Sequence, residues 1–228
     1  MLIYLIYILY VLNNSINFIN KMSKNNNNNN YDLSFKLITI GSSSAEKTEI
    51  IKKFVSDNYE TKTISTIGFG TFNKELTLKD GTIIRLNIID TSGQENYQAL
   101  QISYIKNADG VLFIFSHNDN KSFDVIKGWL AKIKKEVPSI DFKNKIPAYL
   151  IGNKSDLKHE IEDDEIEELK NEYNFYGYID INSKDNNNIN ELFSDMGEIL
   201  FKMYGKRTKK TNVKINKEHK KSNNCILI

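Results

Sequence analysis

The sequence predicts an α/β fold: a doubly wound, mostly parallel six-stranded sheet with one antiparallel strand and helices on both faces. Three observations carry this. Strand-like and helix-like stretches alternate from Tyr31 to Tyr204, the order expected of βαβ units. The apolar runs Gly110–Ser116 and Pro147–Gly152 are continuous rather than alternating, as in strands covered on both faces. An Asp80-Gly81 turn separates two β-rich runs, which is a hairpin pattern and so accounts for the antiparallel strand.

Taken in order, Phe35–Ile40 is a short β-rich run that ends at Gly41, and Glu46–Asp57 has helical spacing. The runs Gly70–Leu78 and Thr82–Asp90 form the hairpin. Gly110–Ser116 is the first buried strand. Ser122–Val137 is helical and stops before Pro138, because the residue before a proline avoids the helical region. After the strand Pro147–Gly152 comes an acidic amphipathic helix, Ile161–Tyr173, then a strand, Tyr176–Asn182, and a last helix, Ile189–Tyr204.

The chain of 228 residues holds one cysteine, Cys225, which excludes an internal disulfide and a cysteine-based zinc site. Its net charge of +2 is unevenly spread. Lys206–Lys221 carries eight Lys and Arg against Glu218 alone, so +7 lies there and −5 in the remainder. A basic tail on an acidic body points to an anionic partner for the tail. No aromatic residue is interleaved with those lysines, so base stacking is unsupported and no nucleic-acid partner is expected.

Three segments follow: an apolar, then Asn-rich extension over 1–30, a folded domain over 31–205, and a polybasic tail over 206–228. The apolar run of the extension, Leu2–Leu12, falls short of the roughly 20 residues that span a bilayer. Met22 opens MSKNNNNNN and competes with Met1 as the start. Residues 1–21 are then either an upstream extension or a short membrane-associating segment. The chain closes on Cys225-Ile226-Leu227-Ile228, a C-a-a-X prenylation pattern with basic residues upstream. The basic run supplies the second signal that one lipid chain needs for stable anchoring. The bulk of Ile228 resembles leucine, which favours geranylgeranyl over farnesyl.

In such a sheet ligands bind at the carboxyl ends of the strands. The first such loop is Gly41-Ser42-Ser43-Ser44-Ala45-Glu46-Lys47-Thr48. It matches a phosphate loop except for its second glycine, replaced by Glu46. Backbone amides would surround phosphates, Lys47 would reach the β- and γ-phosphates, and Thr48 would offer its hydroxyl to Mg²⁺. The bland alternative is a serine-rich start to a helix. The second loop is Asp90-Thr91-Ser92-Gly93-Gln94-Glu95. Asp90 can hold Mg²⁺ through water, Gly93 can present its amide to the γ-phosphate, and Gln94 can orient an attacking water. The alternative is a simple turn.

The third loop, Asn153-Lys154-Ser155-Asp156, carries specificity. The Asp156 carboxylate can accept from N1–H and the 2-amino group of guanine. Adenine offers neither, leaving a buried acceptor unpaired. Asn153 can tie this loop to the phosphate loop, and the stem of Lys154 can pack along the ring face. The fourth loop, Asn182-Ser183-Lys184, can donate a backbone N–H to guanine O6.

Together these motifs, with Thr66-Ile67-Gly68 between the first two, resemble the Ras superfamily of small GTPases, over roughly Leu33–Tyr204. The resemblance implies the P-loop NTPase fold. Thr63-Ile64-Ser65-Thr66-Ile67-Gly68-Phe69 and the Trp129-Leu130 helix look like Rab members. Asp90–Tyr97, without a preceding Trp, looks more like Ras, and a single terminal cysteine is common in Ras and Rho. A divergent Rab-like or Ras-related member fits best.

What the resemblance implies is a lipid-anchored GTP/GDP switch on the cytoplasmic face of a membrane, in vesicle trafficking or signal transduction. Gln94 and Lys47 would be catalytic, and Thr48, Thr66 and Asp90 would hold Mg²⁺. Nucleotide would contact Gly41–Thr48, Thr66, Asp90–Gln94, Asn153, Lys154, Asp156, Ser183 and Lys184. Thr63–Thr71, including Gly70 and Thr71, would form the effector region. Hydrolysis would be slow without a GTPase-activating protein, and an exchange factor would release GDP. Effectors and a prenyltransferase complete the partners.

Ser43, Ser44 and Ser92 depart mildly from the family pattern, and Glu46 departs seriously. A Glu46 carboxylate facing the β-phosphate at about 5 Å would cost roughly 3 kcal/mol, or about two decades of affinity. Turned outward, it costs less. The competing expectation is a degenerate member with weakened nucleotide binding that acts as a non-cycling interaction module.

Overall fold

The computed structural model describes residues 31–56, 70–91, 98–185 and 188–222. In chain order the elements are β1 (Leu33–Ile40), a short 3-10 turn (Ser43–Ala45), α1 (Lys47–Val55), β2 (Gly70–Thr77) and β3 (Ile83–Asp90). They continue with α2 (Gln98–Lys106), β4 (Gly110–Ser116), α3 (Asn120–Glu136), β5 (Ala148–Asn153), α4 (Asp163–Glu172), β6 (Gly177–Asp180) and α5 (Ile189–Ser222). The six strands form one sheet in the order β2-β3-β1-β4-β5-β6. Only β2 runs antiparallel, paired to β3 from Gly70 opposite Asp90 to Thr77 opposite Ile83. The other pairings are parallel.

Strand periodicity explains the two cores. In β4, Leu112 and Ile114 point to one face, and Val111, Phe113 and Phe115 to the other. The continuous apolar run is thus two alternating faces, each buried. On the first face α1 and α5 pack through Ile50, Ile51, Phe54, Leu192, Phe193 and Met196. Phe54 stacks on Phe193 at 3.8 Å between ring centroids, which fixes α1 to α5. On the second face lie Ile105 of α2, Ile126, Leu130 and Ile133 of α3, and Ile166 of α4. Each fully buried Leu, Ile or Phe contributes about 1.5–3 kcal/mol relative to exposure.

Helix ends follow local chemistry. Asp119 caps α3: its carboxylate accepts from the amides of Lys121 (3.1 Å) and Ser122 (3.3 Å). The first turn of α4 is acidic at Asp163, Asp164 and Glu165, which suits the positive end of a helix. Most boundaries lie within two residues of expectation. Two differences are larger. The helix α2 was not expected: its sequence has little amphipathic periodicity, and the second loop masks its start. The last helix runs to Ser222, past Tyr204 and through the boundary expected at 205. No proline follows Gly205, and lysine and arginine are good helix formers.

Candidate functional site

The carboxyl ends of β1, β3, β4, β5 and β6 gather on one edge of the sheet, where the loops that follow them begin. The first begins at Gly41. A Cβ there would lie 2.0 Å from the carbonyl oxygen of Ile114, so only glycine lets β1 turn this close to β4. The loop then curls back over Lys47. The Lys47 side chain is buried and its ammonium donates to the carbonyls of Gly41 (2.8 Å) and Ser42 (2.7 Å). A buried cation needs such partners. It holds the loop in a cradle above the start of α1, and the positive end of a helix favours anions.

Ser42 and Ser44 share a hydrogen bond at 2.8 Å, and Ser44 donates to Asp119 Oδ2 at 2.7 Å. That bond, first among several, outweighs modest desolvation and holds the Asp119 carboxyl below the usual carboxylate range. Asp119 therefore serves both the cap of α3 and the phosphate-loop serines. Ala45 is buried and closes the short turn.

Thr48 Oγ1 donates to Asp90 Oδ2 at 2.5 Å. A hydroxyl and a carboxylate side by side, with Asp90 only 5% exposed, form a hard-oxygen pair suited to Mg²⁺, which takes one or two protein ligands beside phosphate and water. The residues thus fit the ion that the sequence implies. Thr91 begins the second loop and donates to the carbonyl of Thr39 at 2.7 Å, anchoring that loop to β1.

Asn153 ends β5 fully buried and joins three loops. Its amide nitrogen donates to the carbonyl of Ala45 at 3.0 Å, and its Oδ1 accepts the Ser183 N–H at 3.1 Å. Within the loop Asn182–Lys184, expected to offer a backbone N–H to guanine O6, the Ser183 N–H is thus engaged by Asn153. Asp156 stands beside Lys184, whose ammonium approaches its Oδ2 at 3.3 Å.

Glu46 has φ 59 and ψ 35, left-handed values that glycine adopts freely and glutamate does not. The strain is on the order of 1 kcal/mol. Its carboxylate does not turn into the phosphate cradle. Oε2 accepts from the Ser183 hydroxyl at 2.6 Å, and Oε1 lies 3.5 Å from the Lys154 ammonium. Of the two alternatives for Glu46, the structure takes the outward one, with the charge against Ser183 and Lys154. Lys154 also has a left-handed backbone, at φ 61.

The structure thus brings together Gly41, Ser42, Ser43, Ser44, Ala45, Glu46, Lys47, Thr48, Asp90, Thr91, Asn153, Lys154, Asp156, Ser183 and Lys184. Gly70 and Thr71 open β2, and Gly70 sits opposite Asp90. Thr63 to Phe69 with Thr66, then Ser92, Gly93, Gln94 and Tyr97, and Cys225 lie outside the described residues. Sequence reasoning missed Asp119 and His117. Asp119 has a visible signal, the Asp-x-x-Ser start of a helix. His117 has none, because its partner Asp180 is 63 residues away.

Comparison with known proteins agrees with this geometry. The Ras family model matches residues 36–202. The chain is 32% identical to the Ras-related protein Rab-13 of Rattus norvegicus over 206 residues, covering 86% of this chain and 98% of that protein. It is 29% identical to the human Ras-related protein Rab-8B over 184 residues, 80% of this chain and 86% of the relative. It is 31% identical to the GTP-binding protein ypt1 of Schizosaccharomyces pombe over 180 residues, 78% and 85% respectively. A family model that matches most of the chain, and relatives covered over 85% or more of their own length, make one conclusion: the chain belongs to the Ras family, as a Rab-like, GTP-binding small GTPase.

Proposed function

We propose that this protein is a membrane-anchored guanine-nucleotide switch that binds and slowly hydrolyses GTP in vesicle trafficking. The observation that carries the reading is the placement of two chemistries on one sheet edge. Lys47, Thr48 and Asp90 gather at one end, and Asn153, Asp156 and Ser183 at the other. The first set suits a magnesium-bound di- or triphosphate, the second a base with donor edges. Mg²⁺ held by Thr48, Asp90 and Thr66 would neutralise charge on the phosphates. Lys47 would hold the β- and γ-phosphates, Gln94 would orient water, and Thr63–Thr71 would present the effector region. An activating protein would supply the arginine that the described loops lack, and an exchange factor would release GDP.

Anchoring rests on Cys225 and the upstream lysines. Among the described residues no helix is long and apolar enough to cross a membrane. A prenyltransferase would attach geranylgeranyl, less readily farnesyl, and the basic tail would meet an anionic cytoplasmic leaflet. Replacing Cys225 by Ser should release the protein from membranes into the supernatant.

The nucleotide test is direct. Purified protein, heated and chromatographed, should release GDP or GTP in near-equimolar amount. Protein that arrives empty and refuses GDP at millimolar concentration with Mg²⁺ overturns the switch. One observation favours the second reading, a non-cycling interaction module: the strained Glu46 with its carboxylate among the base-side residues. Under that reading, effector-like partners would bind equally with GDP, GTP or neither.

A further inference from the structure

We propose that His117 is a positioning residue for guanine recognition: its imidazole clips both ends of the turn that carries Asn153 and Asp156. The inference rests on the nucleotide-binding reading above and concerns how that site distinguishes its base. The turn is tight. Lys154 has φ 61, the Leu157 N–H donates to the Lys154 carbonyl at 3.0 Å, and the Ser155 N–H donates to the Ile181 carbonyl at 3.2 Å. Among the described residues, the Asp156 carboxylate meets only the ammonium of Lys184, at 3.3 Å, on a side chain that is 62% exposed. So mobile a partner does not aim a carboxylate. The aim of Asp156 is set by the backbone of the turn.

The entry to the turn is held at Gly152, immediately before Asn153. Gly152 pairs with Asp180 of β6, and Asn153 pairs with Ser116 at the end of β4. A Cβ on Gly152 would lie 2.3 Å from His117 Nε2, 2.8 Å from the Tyr178 hydroxyl and 2.9 Å from Asp180 Oδ1. These three side chains therefore meet directly over Gly152. His117 Nε2 donates to Asp180 Oδ1 at 2.5 Å, with the Tyr178 hydroxyl 3.1 Å from the same nitrogen. The exit from the turn is held at His159, just beyond Asp156. Its ring lies on that of His117 at 3.7 Å between centroids and 11° between planes. The Glu160 N–H donates to the His117 carbonyl at 2.8 Å. The edge of Phe115, at 5.3 Å and 68°, completes the packing of the imidazole. The His117 ring is fully buried, and its Nδ1 has no hydrogen-bond partner among the described residues. A buried polar ring bonded through one nitrogen keeps the orientation that satisfies it. Binding groups are aimed well when their supports are themselves locked, and one locked ring here supports both ends of the turn.

The test compares GDP with inosine diphosphate by calorimetry in the presence of Mg²⁺. Hypoxanthine keeps N1–H and O6 but lacks the 2-amino group, so the ratio of the two affinities reads how well Asp156 is aimed. Full-length wild type should favour GDP. His159→Ala, at an exposed position, should keep the fold and reduce that ratio by about fivefold or more. His117→Leu should reduce it at least as far. His117→Gln, which keeps an N–H for Asp180, should retain more of the ratio than His117→Leu. A ratio unchanged in His159→Ala and His117→Leu overturns the proposal, even where melting temperature or both affinities fall together, since His117 would then only pack. Should His117→Leu not fold, His159→Ala decides alone. Amide exchange followed by NMR without added nucleotide gives a second reading: the N–H groups of Ser155 and Leu157 should exchange about tenfold faster in His159→Ala than in wild type. Wild type that binds neither nucleotide overturns the switch. Equal exchange rates overturn the clip, whatever the nucleotide binding.

Discussion

Nε2 of His117 lies 2.5 Å from Oδ1 of Asp180, joining the end of β4 to the end of β6 across β5. His117 is fully buried and its ring stacks on His159 at 3.7 Å. Its backbone N–H donates to the carbonyl of Asn153 at 3.0 Å, and its own carbonyl accepts from Glu160 at 2.8 Å. The pair thus braces Asn153 from behind. The Tyr178 hydroxyl donates to the same Asp180 oxygen.

Burial alone would push the Asp180 carboxyl up. Hydrogen bonds from His117 and Tyr178 and the attraction of His117 and His159 outweigh it and hold the carboxyl below its ordinary value near 3.8. A carboxyl depressed in the folded state contributes stability above the unfolded value, and loses it as pH falls below about 4. Asp180→Asn should therefore flatten the acid-unfolding limb below that pH. At pH 7 it should cost about 1–3 kcal/mol, through weakened partners for a buried imidazole. Urea titrations at pH 7 and at pH 3.5 measure both effects, and an equally steep acid limb in the variant contradicts the pairing.

Gly41 and Gly152 leave the least room for a methyl group among the described glycines. A Cβ at Gly41 meets the Ile114 carbonyl oxygen at 2.0 Å, and one at Gly152 meets His117 Nε2 at 2.3 Å. The first obstacle is backbone and cannot rotate away. Gly41→Ala should cost about 3 kcal/mol and displace the carbonyl that receives Lys47. Denaturant unfolding and GDP affinity should fall together. A variant that loses neither would show that β1 can turn without that close approach.

Thr48 and Asp90 should behave as one metal-binding unit. Chelating Mg²⁺ should weaken GDP binding by wild type. In Thr48→Ala the ratio of affinities with and without Mg²⁺ should shrink at least tenfold, since one of two adjacent oxygens is gone. The fold should lose only about 1 kcal/mol, the worth of one hydrogen bond. Equilibrium titration with a fluorescent GDP analogue, with and without chelator, reads the ratio directly. An unchanged ratio would place the ion elsewhere.

The fold was legible because its signals are local and repeated. The run GVLFIFS is apolar at every position because its alternate residues face two different helix layers. The Asp80-Gly81 turn sets the only antiparallel pair among the described strands. The tie from Asn153 to Ala45 was also legible, since buried side-chain amides at strand ends need backbone partners. Three features were not. The direction of the Glu46 side chain depends on Ser183, 137 residues away. The His117–Asp180 pair joins strands separated by β5. Helix α2 owes its place to Ile102 and Ile105 under the sheet rather than to its own periodicity.

Tyr149 offers a check on the first core from the alkaline side. It lies in β5, 9% exposed, against Gly177 of β6 and near Tyr176. Burial first, then the negative charges of Asp195 and Glu191 and the neighbouring Tyr176, push its hydroxyl up to about 12. The unfolded chain would ionise this phenol near 10. Stability from keeping it neutral is intact below pH 10 and is lost as pH rises from 10 through 12. Tyr149→Phe should leave melting at pH 8 nearly unchanged and make the fall in melting temperature between pH 10 and 11.5 shallower than in wild type. Identical slopes would mean that α5, which carries Glu191 and Asp195, does not close over β5 in solution.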